Sequence, residues 1–194
     1  MKKIPTLFER EFKDHKVVGI TDKVCPGMEW VLEGKGEATV KWDGSCCAII
    51  DGRFYRRYDA KKGRKPPEGA IPCCDPDPVT GHHPHWVLID NYDPQNKWFV
   101  SAFVNASAVW PMRDGTYEAI GPAFNGNHHG LDLNILRPHG VDVLRKCPRD
   151  FDGIKWYLSL NPVEGIVFWK DGEPQCKIKR KDFGFEWPIT YKHG

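Results

Sequence analysis

A chain of 194 residues is long enough for one folded domain with a substantial core and too short for two large ones. With 40% hydrophobic and 28% charged residues, the composition excludes a disordered chain and a membrane-embedded protein. The net charge of +2 excludes a polyanion binder that works through a global positive field. We therefore predict a single domain over residues 1–194 and, because no apolar run approaches a membrane span, a cytoplasmic location without membrane contact.

Short alternating runs separated by turn residues predict six β-strands in this chain. They cover residues 37–41, 45–50, 53–58, 115–120, 164–170 and 175–180. Asp-Gly pairs at 43, 51 and 171 supply the positive φ that strand connections need. Together these signals predict an α+β domain with antiparallel sheet.

Two helices and one long loop complete the predicted elements. Asp93 is a candidate N-cap before Pro94, and apolar residues then recur at helical spacing to about residue 108. A second helix is predicted over 152–160, ended by Asn161-Pro162. The proline-rich segment 66–86 predicts a long ordered loop.

Positive charge is concentrated in two places. Between Arg53 and Lys65 the chain has seven Lys or Arg against one acid, and a second basic knot spans 177–181. Local cationic clusters on a nearly neutral chain predict contact with an anion such as phosphate.

One lysine, Lys41, ends a predicted strand on the side away from the apolar positions, next to the Asp-Gly turn. Taken alone it is typical of a solvated lysine at a strand end. Glu118, however, interrupts an apolar strand, and Glu164 opens another. A carboxylate in such a strand needs a cationic partner. Lys177 and Lys179 stand two positions apart and therefore share a strand face.

Together these residues predict one sheet face that carries three lysines and two glutamates around a groove, a composition that favours phosphoryl chemistry. Neighbouring cations lower the pKa of a lysine, and this makes its amine available as a nucleophile. Carboxylates bind Mg²⁺, and further cations stabilise charge on a phosphate.

In chain order, the segments K-W-D-G (41–44), G-T-Y-E-A-I-G (115–121), E-G-I-V-F-W (164–169) and K-I-K-R-K-D-F-G (177–184) resemble motifs I, III, IV and V of the covalent nucleotidyltransferases. That superfamily contains ATP-dependent DNA ligases, RNA ligases and mRNA-capping guanylyltransferases. The segments I-P-T-L-F-E-R, R-R-Y-D-A-K-K-G and D-P-D-P-V-T-G-H are most similar to the RNA ligase 1 family.

The resemblance implies an adenylyltransferase domain of ligase type, with antiparallel sheets flanking an ATP groove. It implies ATP as co-substrate, Mg²⁺ or Mn²⁺ as the metal, and RNA with 5′-phosphate and 3′-hydroxyl ends as substrate. A separate end-healing enzyme and a monomeric state fit this family. Only ten residues follow Gly184, so we expect no oligonucleotide-binding domain.

The resemblance also assigns residue roles. Lys41 becomes the nucleophile that forms AMP-lysine, and Lys177 and Lys179 contact the α-phosphate. Glu164 helps bind the metal, whereas Glu118 contacts the ribose or a metal-bound water.

Further roles concern the base and the RNA. Ile166 packs on adenine, whereas Phe151, Trp156 and Tyr157 remain equal candidates for the opposing aromatic or for helix core. Arg57 contacts a phosphate or an RNA end, with Arg56 and Lys61 as competing residues.

Three alternatives stay open at the level of sequence. A small DNA ligase is one, although Cys46 stands where many DNA ligases have arginine. A nucleic-acid binding module without catalysis and a protein-modifying adenylyltransferase are the others.

Cysteines and histidines raise the question of a zinc site. Cys73, Cys74, His82, His83 and His85 lie within thirteen positions, but adjacent ligands are poorly spaced for zinc. We therefore predict surface-loop histidines there, reduced, buried thiols throughout, and a polar loop at 125–130 with substrate contact as the alternative.

Overall fold

The computed structural model describes residues 3–14, 16–60, 64–78 and 80–189. Their backbone contacts divide them into two compact units, with the boundary between Trp42 and Asp43 and again between His139 and Gly140. The first unit contains Asp43–His139, and the second contains Ile4–Trp42 and the chain from Gly140 onward. The single domain over 1–194 stays a prediction beside this division.

Eleven strands and two α-helices are present in the described residues. In chain order they are β1 (Phe8–Lys13), β2 (Lys16–Val24), β3 (Glu37–Lys41), β4 (Ser45–Ile50), β5 (Arg53–Ala60), β6 (Ile71–Pro72), β7 (His83–Leu88), α1 (Lys97–Ser107), β8 (Gly115–Ile120), β9 (Ile135–Pro138), α2 (Phe151–Leu160), β10 (Gly165–Lys170) and β11 (Glu173–Lys179). Short 3-10 turns lie at Glu29–Val31, Pro94–Asn96, Asn125–Asn127 and Arg180–Phe183. Neither helix is long and apolar enough to cross a bilayer.

The first unit is built on an antiparallel sheet of six strands in the order β6-β7-β5-β4-β8-β9. Alternation along β4 separates its two faces: Cys47 and Ile49 pack with Ala102 and Ala106 of α1, whereas Ala48 packs with residues of β5 and β7. Asp93 accepts a hydrogen bond from the Gln95 amide and starts the 3-10 turn that leads into α1. The helix predicted from Asp93 is thus confirmed, with a 3-10 first turn.

The second unit contains a three-stranded antiparallel sheet, β11-β10-β3, and the hairpin β1-β2. Ile166, Phe168 and Ile178 are fully buried on one face of the sheet, against Ile154 and Leu158 of α2. Asp150 accepts from the Gly153 amide at the start of α2, so the predicted second helix is confirmed within one residue. The opposite sheet face carries the candidate site.

Arg180, within the basic segment 177–181, does not face an anion site. Arg180 is only 6% exposed, and its guanidinium donates to the carbonyl oxygens of Leu158, of Asn161 at 2.9 Å and of Glu186 at 3.0 Å. These bonds satisfy a buried charge and fasten the end of α2 to the chain after β11. The prediction of an anion-binding cluster is therefore wrong for this residue.

The predicted loop at 66–86 also requires correction, because β6 and the start of β7 lie within it. His83 and His85 belong to β7, and His85 is buried, so the prediction of surface-loop histidines is wrong for these two. All seven cysteines lie in the described residues and are free thiols, as predicted, but the expectation that they are buried holds only for Cys47, Cys147 and Cys176.

Phe168 is fully buried in the core of the second unit with Ile154 and Leu158 of α2, and Phe168→Ala leaves a cavity there. We expect a loss of about 3–5 kcal/mol in the free energy of unfolding, measured by urea denaturation with tryptophan fluorescence. The control Leu160→Ala changes a 62% exposed side chain in α2 and should stay within about 0.5 kcal/mol of the parent. Equal effects of the two substitutions would contradict this account of the core.

Candidate active site on the three-stranded sheet

The register of the three-stranded sheet aligns the candidate residues on one face. Gly165 pairs with Lys41 on one side and with Lys179 on the other, and Val167 pairs with Lys177. Directly paired residues point to the same face of a sheet. The predicted lysine face is therefore confirmed for Lys41, Lys177 and Lys179.

Gly165 lies between Lys41 and Lys179, at a position where no side chain fits. A Cβ at this position would lie 2.2 Å from the Ile178 carbonyl oxygen. Glycine at this position therefore allows the backbone of β11 to approach β10 closely.

The Glu164 carboxylate joins the two lysines that flank Gly165. Its Oε2 accepts a short hydrogen bond from Lys41 Nζ, and its Oε1 lies 3.4 Å from Lys179 Nζ. The Glu164 side chain is 9% exposed, so the ion pair with the 21% exposed Lys41 is shielded from water. Removing either partner of such a pair leaves an uncompensated charge.

The surroundings of Lys177 lower the pKa of this lysine. Burial, followed by the charges of Lys179 and Lys41, lowers the pKa of Lys177 to about 8, although Glu164 opposes the shift. The lowering of a lysine pKa that the sequence predicts from clustered cations is thus found at Lys177.

Ile166 lies on the wrong face for the role assigned to it. Its side chain is fully buried in the core with Ile178 and Phe168, whereas the lysine face carries Val167. The prediction placed Ile166 in the nucleotide groove because it treated the segment as a motif, without the alternation that fixes each side chain's face. Of the three aromatic candidates, Phe151 and Tyr157 pack on this core, and Trp156 is 63% exposed.

Glu118 lies on β8 of the six-stranded sheet, so the prediction that it shares one sheet face with the three lysines is wrong. Both of its oxygens have partners in the first unit. Oε1 accepts from the Gly44 amide at 3.1 Å, and Oε2 accepts from His139 Nε2 at 3.0 Å. The other ring nitrogen of His139 bonds to the Thr116 hydroxyl at 2.9 Å. Glu118 therefore holds the K-W-D-G turn, and His139 is a site residue that no sequence spacing indicates.

Cys46 follows the same turn at the place of the DNA-ligase arginine. Burial, with a smaller contribution from the Glu118 charge, raises the pKa of Cys46 to about 12. The side chain at this position is therefore a neutral thiol.

Arg56 and Arg57 are consecutive in β5, so they point to opposite faces of the six-stranded sheet. Arg57 Nε donates to Asp59 Oδ1 at 2.8 Å, and His82 Nε2 lies 3.2 Å from the same oxygen. Within the described residues Arg57 Nη1 and Nη2 make no hydrogen bond, so they can bind an anion. The third candidate, Lys61, falls outside the described residues.

Metal ligands are sparse in the part of the chain that the structure covers. No three His, Cys, Asp or Glu side chains there are grouped to hold an ion. The protein alone thus offers single carboxylates, such as Glu164, that need further ligands.

Comparison with known proteins gives three related sequences. The RNA ligase 1 of Danio rerio is 31% identical over 140 residues, which cover 57% of this chain and 43% of that protein. The RNA ligase 1 proteins of Mus musculus and Rattus norvegicus are each 25% identical over 223 aligned positions, which cover 78% of this chain and 68% of each rodent protein. The chain is a distant relative of the RNA ligase 1 proteins.

The resemblance to RNA ligase 1 seen in the motifs is thereby confirmed at the level of distant kinship. No protein-family model matches the chain. The chain spans less than half the length of the zebrafish RNA ligase 1 that it matches.

The lowered pKa of Lys177 has a measurable consequence for stability. The unfolded chain binds a proton at this lysine up to its ordinary pKa, while the folded chain loses it near pH 8. Above about pH 8 the unfolded state therefore binds more protons than the folded state, so the free energy of unfolding rises with pH there. The cost of burying a charged Lys177 in the folded state disappears as the lysine loses its proton.

We expect Lys177→Met to raise the free energy of unfolding at neutral pH, with an advantage over the parent that shrinks as pH rises through about 8. Urea denaturation at several pH values measures this difference. The exposed Lys181→Met serves as control and should show no such trend. An advantage of Lys177→Met that stays constant across this pH range would contradict the assignment.

Proposed function

We propose that this chain is an ATP-dependent RNA ligase that joins 5′-phosphate and 3′-hydroxyl ends through AMP-lysine on Lys41. The observation that carries the proposal is the Glu164 carboxylate between Lys41 and Lys179, with Lys177 on the same sheet face. The names of the distant relatives support RNA as the substrate class. The antiparallel sheets are those expected of a ligase-type adenylyltransferase domain, which we propose as the fold.

A divalent metal fits the donor chemistry of Glu164. Its carboxylate is a hard oxygen ligand, and Mg²⁺ is commonly held by one or two carboxylates together with substrate phosphates and water. Glu164 would hold Mg²⁺ or Mn²⁺, and for Glu118 the family motifs imply contact with the ribose or with a metal-bound water. When bound, the metal neutralises charge on the triphosphate.

Adenylylation begins when Lys41 leaves its ion pair with Glu164 and loses a proton. The Nζ lone pair attacks the α-phosphorus of ATP, the P–N bond forms, and the bond from the α-phosphorus to the bridging oxygen breaks. Pyrophosphate leaves with that electron pair. Because Glu164 contacts the amine directly, it orients Nζ before the attack.

Lys177 and Lys179 are the cations that meet the reacting phosphate. Both share the face of Lys41, and their charges stabilise negative charge on the α-phosphate oxygens. For the base, we propose Val167 in place of Ile166, because Val167 is a partly exposed apolar side chain on that face, directly paired with Lys177.

Glu118 retains acceptor capacity for the ribose. Each carboxylate oxygen has two lone pairs, and the bonds to Gly44 and His139 use one on each oxygen. A ribose hydroxyl can therefore still donate to Glu118.

RNA enters in the last two steps. An oxygen of the RNA 5′-phosphate attacks the α-phosphorus of AMP-lysine, and the P–N bond breaks with return of a proton to Lys41. The RNA 3′-hydroxyl then attacks the activated 5′-phosphorus, AMP leaves, and the hydroxyl proton is released. Arg57 and the basic run around it would bind RNA phosphates, so affinity should fall as salt rises.

Lys41→Ala should abolish covalent labelling of the protein by α-labelled ATP and Mg²⁺, because it removes the only atom that forms the P–N bond. The assay is a denaturing gel, on which the parent protein stays labelled. Lys155→Ala, an exposed helix lysine, should label like the parent. A folded parent without label would overturn the proposal.

The substrate is tested with the same preparation. A single-stranded RNA with 5′-phosphate and 3′-hydroxyl ends should be joined faster than a nicked DNA duplex is sealed. Preferential sealing of the nicked DNA would favour a DNA ligase instead. Transfer of AMP to a second protein, without RNA joining, would favour the protein-modifying alternative.

Glu164→Gln keeps the size of the side chain and removes its charge. We expect labelling to slow by about 100-fold, because an oriented charged partner of the nucleophile is lost. The exposed Glu173→Gln in β11 is the matched control and should label at the parental rate. Parental labelling by Glu164→Gln would exclude the role that we give to this carboxylate.

A further inference from the structure

The turn that follows Lys41 is held by a second loop of the first unit, residues 125–129. Asn125 Nδ2 donates to Asp43 Oδ1 at 3.0 Å and to the Gly44 carbonyl oxygen at 2.8 Å. His128 Nδ1 lies 2.6 Å from Asp43 Oδ2. His129 Nε2 lies 2.9 Å from the Asp43 amide nitrogen. We call these four contacts the Asp43 clasp.

The two histidines of the clasp bond in opposite senses. The carboxylate of Asp43 accepts, so His128 donates from Nδ1. The backbone N–H of Asp43 donates, so His129 accepts at Nε2, and that nitrogen carries no proton. The side chain and the backbone of one residue are thus fixed by two adjacent rings.

The loop that carries these rings is held in an uncommon conformation. Asn125, Gly126 and Asn127 have φ values of 42°, 68° and 55°, in the left-handed region that non-glycine residues adopt at an energetic cost. Asn127 offsets this cost, since its side chain exchanges hydrogen bonds of 2.9 and 3.0 Å with the backbone of Leu131. The loop is therefore stabilised by hydrogen bonds of its own.

Gly44 is pressed against the sheet on its other side. A Cβ on Gly44 would lie 2.1 Å from the Ala119 carbonyl oxygen, and the Gly44 amide donates to Glu118. The clasp and β8 together thus fix both residues of the Asp-Gly turn.

We propose that the Asp43 clasp is a positioning device for adenylylation, with His128 and His129 as positioning residues that act through Asp43. This inference rests on the proposed function. A lysine side chain has four rotatable bonds, and attack on phosphorus requires the chain that carries it to be fixed within a fraction of an ångström. Lys41 is two residues before Asp43, so the clasp fixes the chain just after the nucleophile.

The clasp acts on the rate of the chemical step and leaves ATP binding unchanged. We expect His128→Ala and His129→Ala to slow single-turnover labelling about 10- to 100-fold, with the ATP concentration for half-maximal rate within about twofold of the parent. His129→Gln offers an amide oxygen to the Asp43 N–H and should restore most of the rate. Asn125→Gly keeps the left-handed backbone, removes both amide contacts and should slow labelling. Asp132→Ala, exposed in the segment that follows, is the control.

Action through Asp43 is tested by a double-mutant cycle and by amide exchange. If His128 acts through Asp43, then His128→Ala combined with Asp43→Ala labels no more slowly than Asp43→Ala alone. In the folded protein, hydrogen exchange of the Asp43 amide should speed up in His129→Ala and return towards the parental rate in His129→Gln.

The outcomes separate this inference from the function on which it rests. A folded parent without label overturns the proposed function, and the clasp proposal with it. A labelled parent with clasp variants that label at the parental rate overturns the clasp alone. A rise in the ATP concentration for half-maximal rate in these variants would also overturn the clasp, since His128 or His129 would then contact the nucleotide. The same holds if the fold-losses in labelling rate of His128→Ala and Asp43→Ala multiply in the double variant.

Discussion

The candidate site depends on one carboxylate among three lysines. Without Glu164, Lys41 and Lys179 would flank Gly165 as neighbouring cations of like charge, with Lys177 in the next row of the same face. The 9% exposed carboxylate bridges the first two. Gly165, between the two lysines, allows the close approach of the Ile178 carbonyl oxygen. The same arrangement leaves Lys177 partly buried among cations, and this lowers its pKa.

Strand alternation explains both the success and the failure of sequence reasoning at this sheet. The lysine face was predicted because Lys177 and Lys179 are two apart in one strand and Lys41 ends another. Applied to β10, the same alternation assigns Ile166 to the core and Val167 to the lysine face, as the structure shows.

Other features could not be predicted, because they depend on contacts between distant segments. His139 reaches Glu118 from 21 positions away, and Arg180 donates to carbonyls at the end of α2, 22 and 19 positions before it. Strands β1, β2 and β9 were missed, and β6 and β7 were hidden in a segment whose prolines predicted a loop. Pro84 lies in β7, whereas a proline inside a strand normally argues against pairing there. Local pattern gave the six predicted strands and both helices, while tertiary contact decided the rest.

The Asp-Gly turn after Lys41 gathers more hydrogen bonds than its role as a strand connection requires. Glu118 and Asn125 bind Gly44, while Asn125, His128 and His129 bind Asp43. The prediction of positive φ is confirmed for the Asp-Gly pairs at 51 and 171 and is wrong for the pair at 43, so these side chains, and not hairpin-turn geometry, hold Asp43 and Gly44. Five polar contacts thus fix Asp43 and Gly44, as expected if the neighbouring Lys41 is the proposed nucleophile.

The most direct test of the account is to find where AMP becomes attached. The purified chain is incubated with ATP and Mg²⁺, digested under conditions that preserve the P–N bond, and mapped by mass spectrometry. The account predicts one adenylylated residue, Lys41, and loss of the adduct when pyrophosphate is added, because the step is reversible. No adduct on the folded protein, or an adduct on Lys177 or Lys179 with Lys41 unmodified, would contradict it.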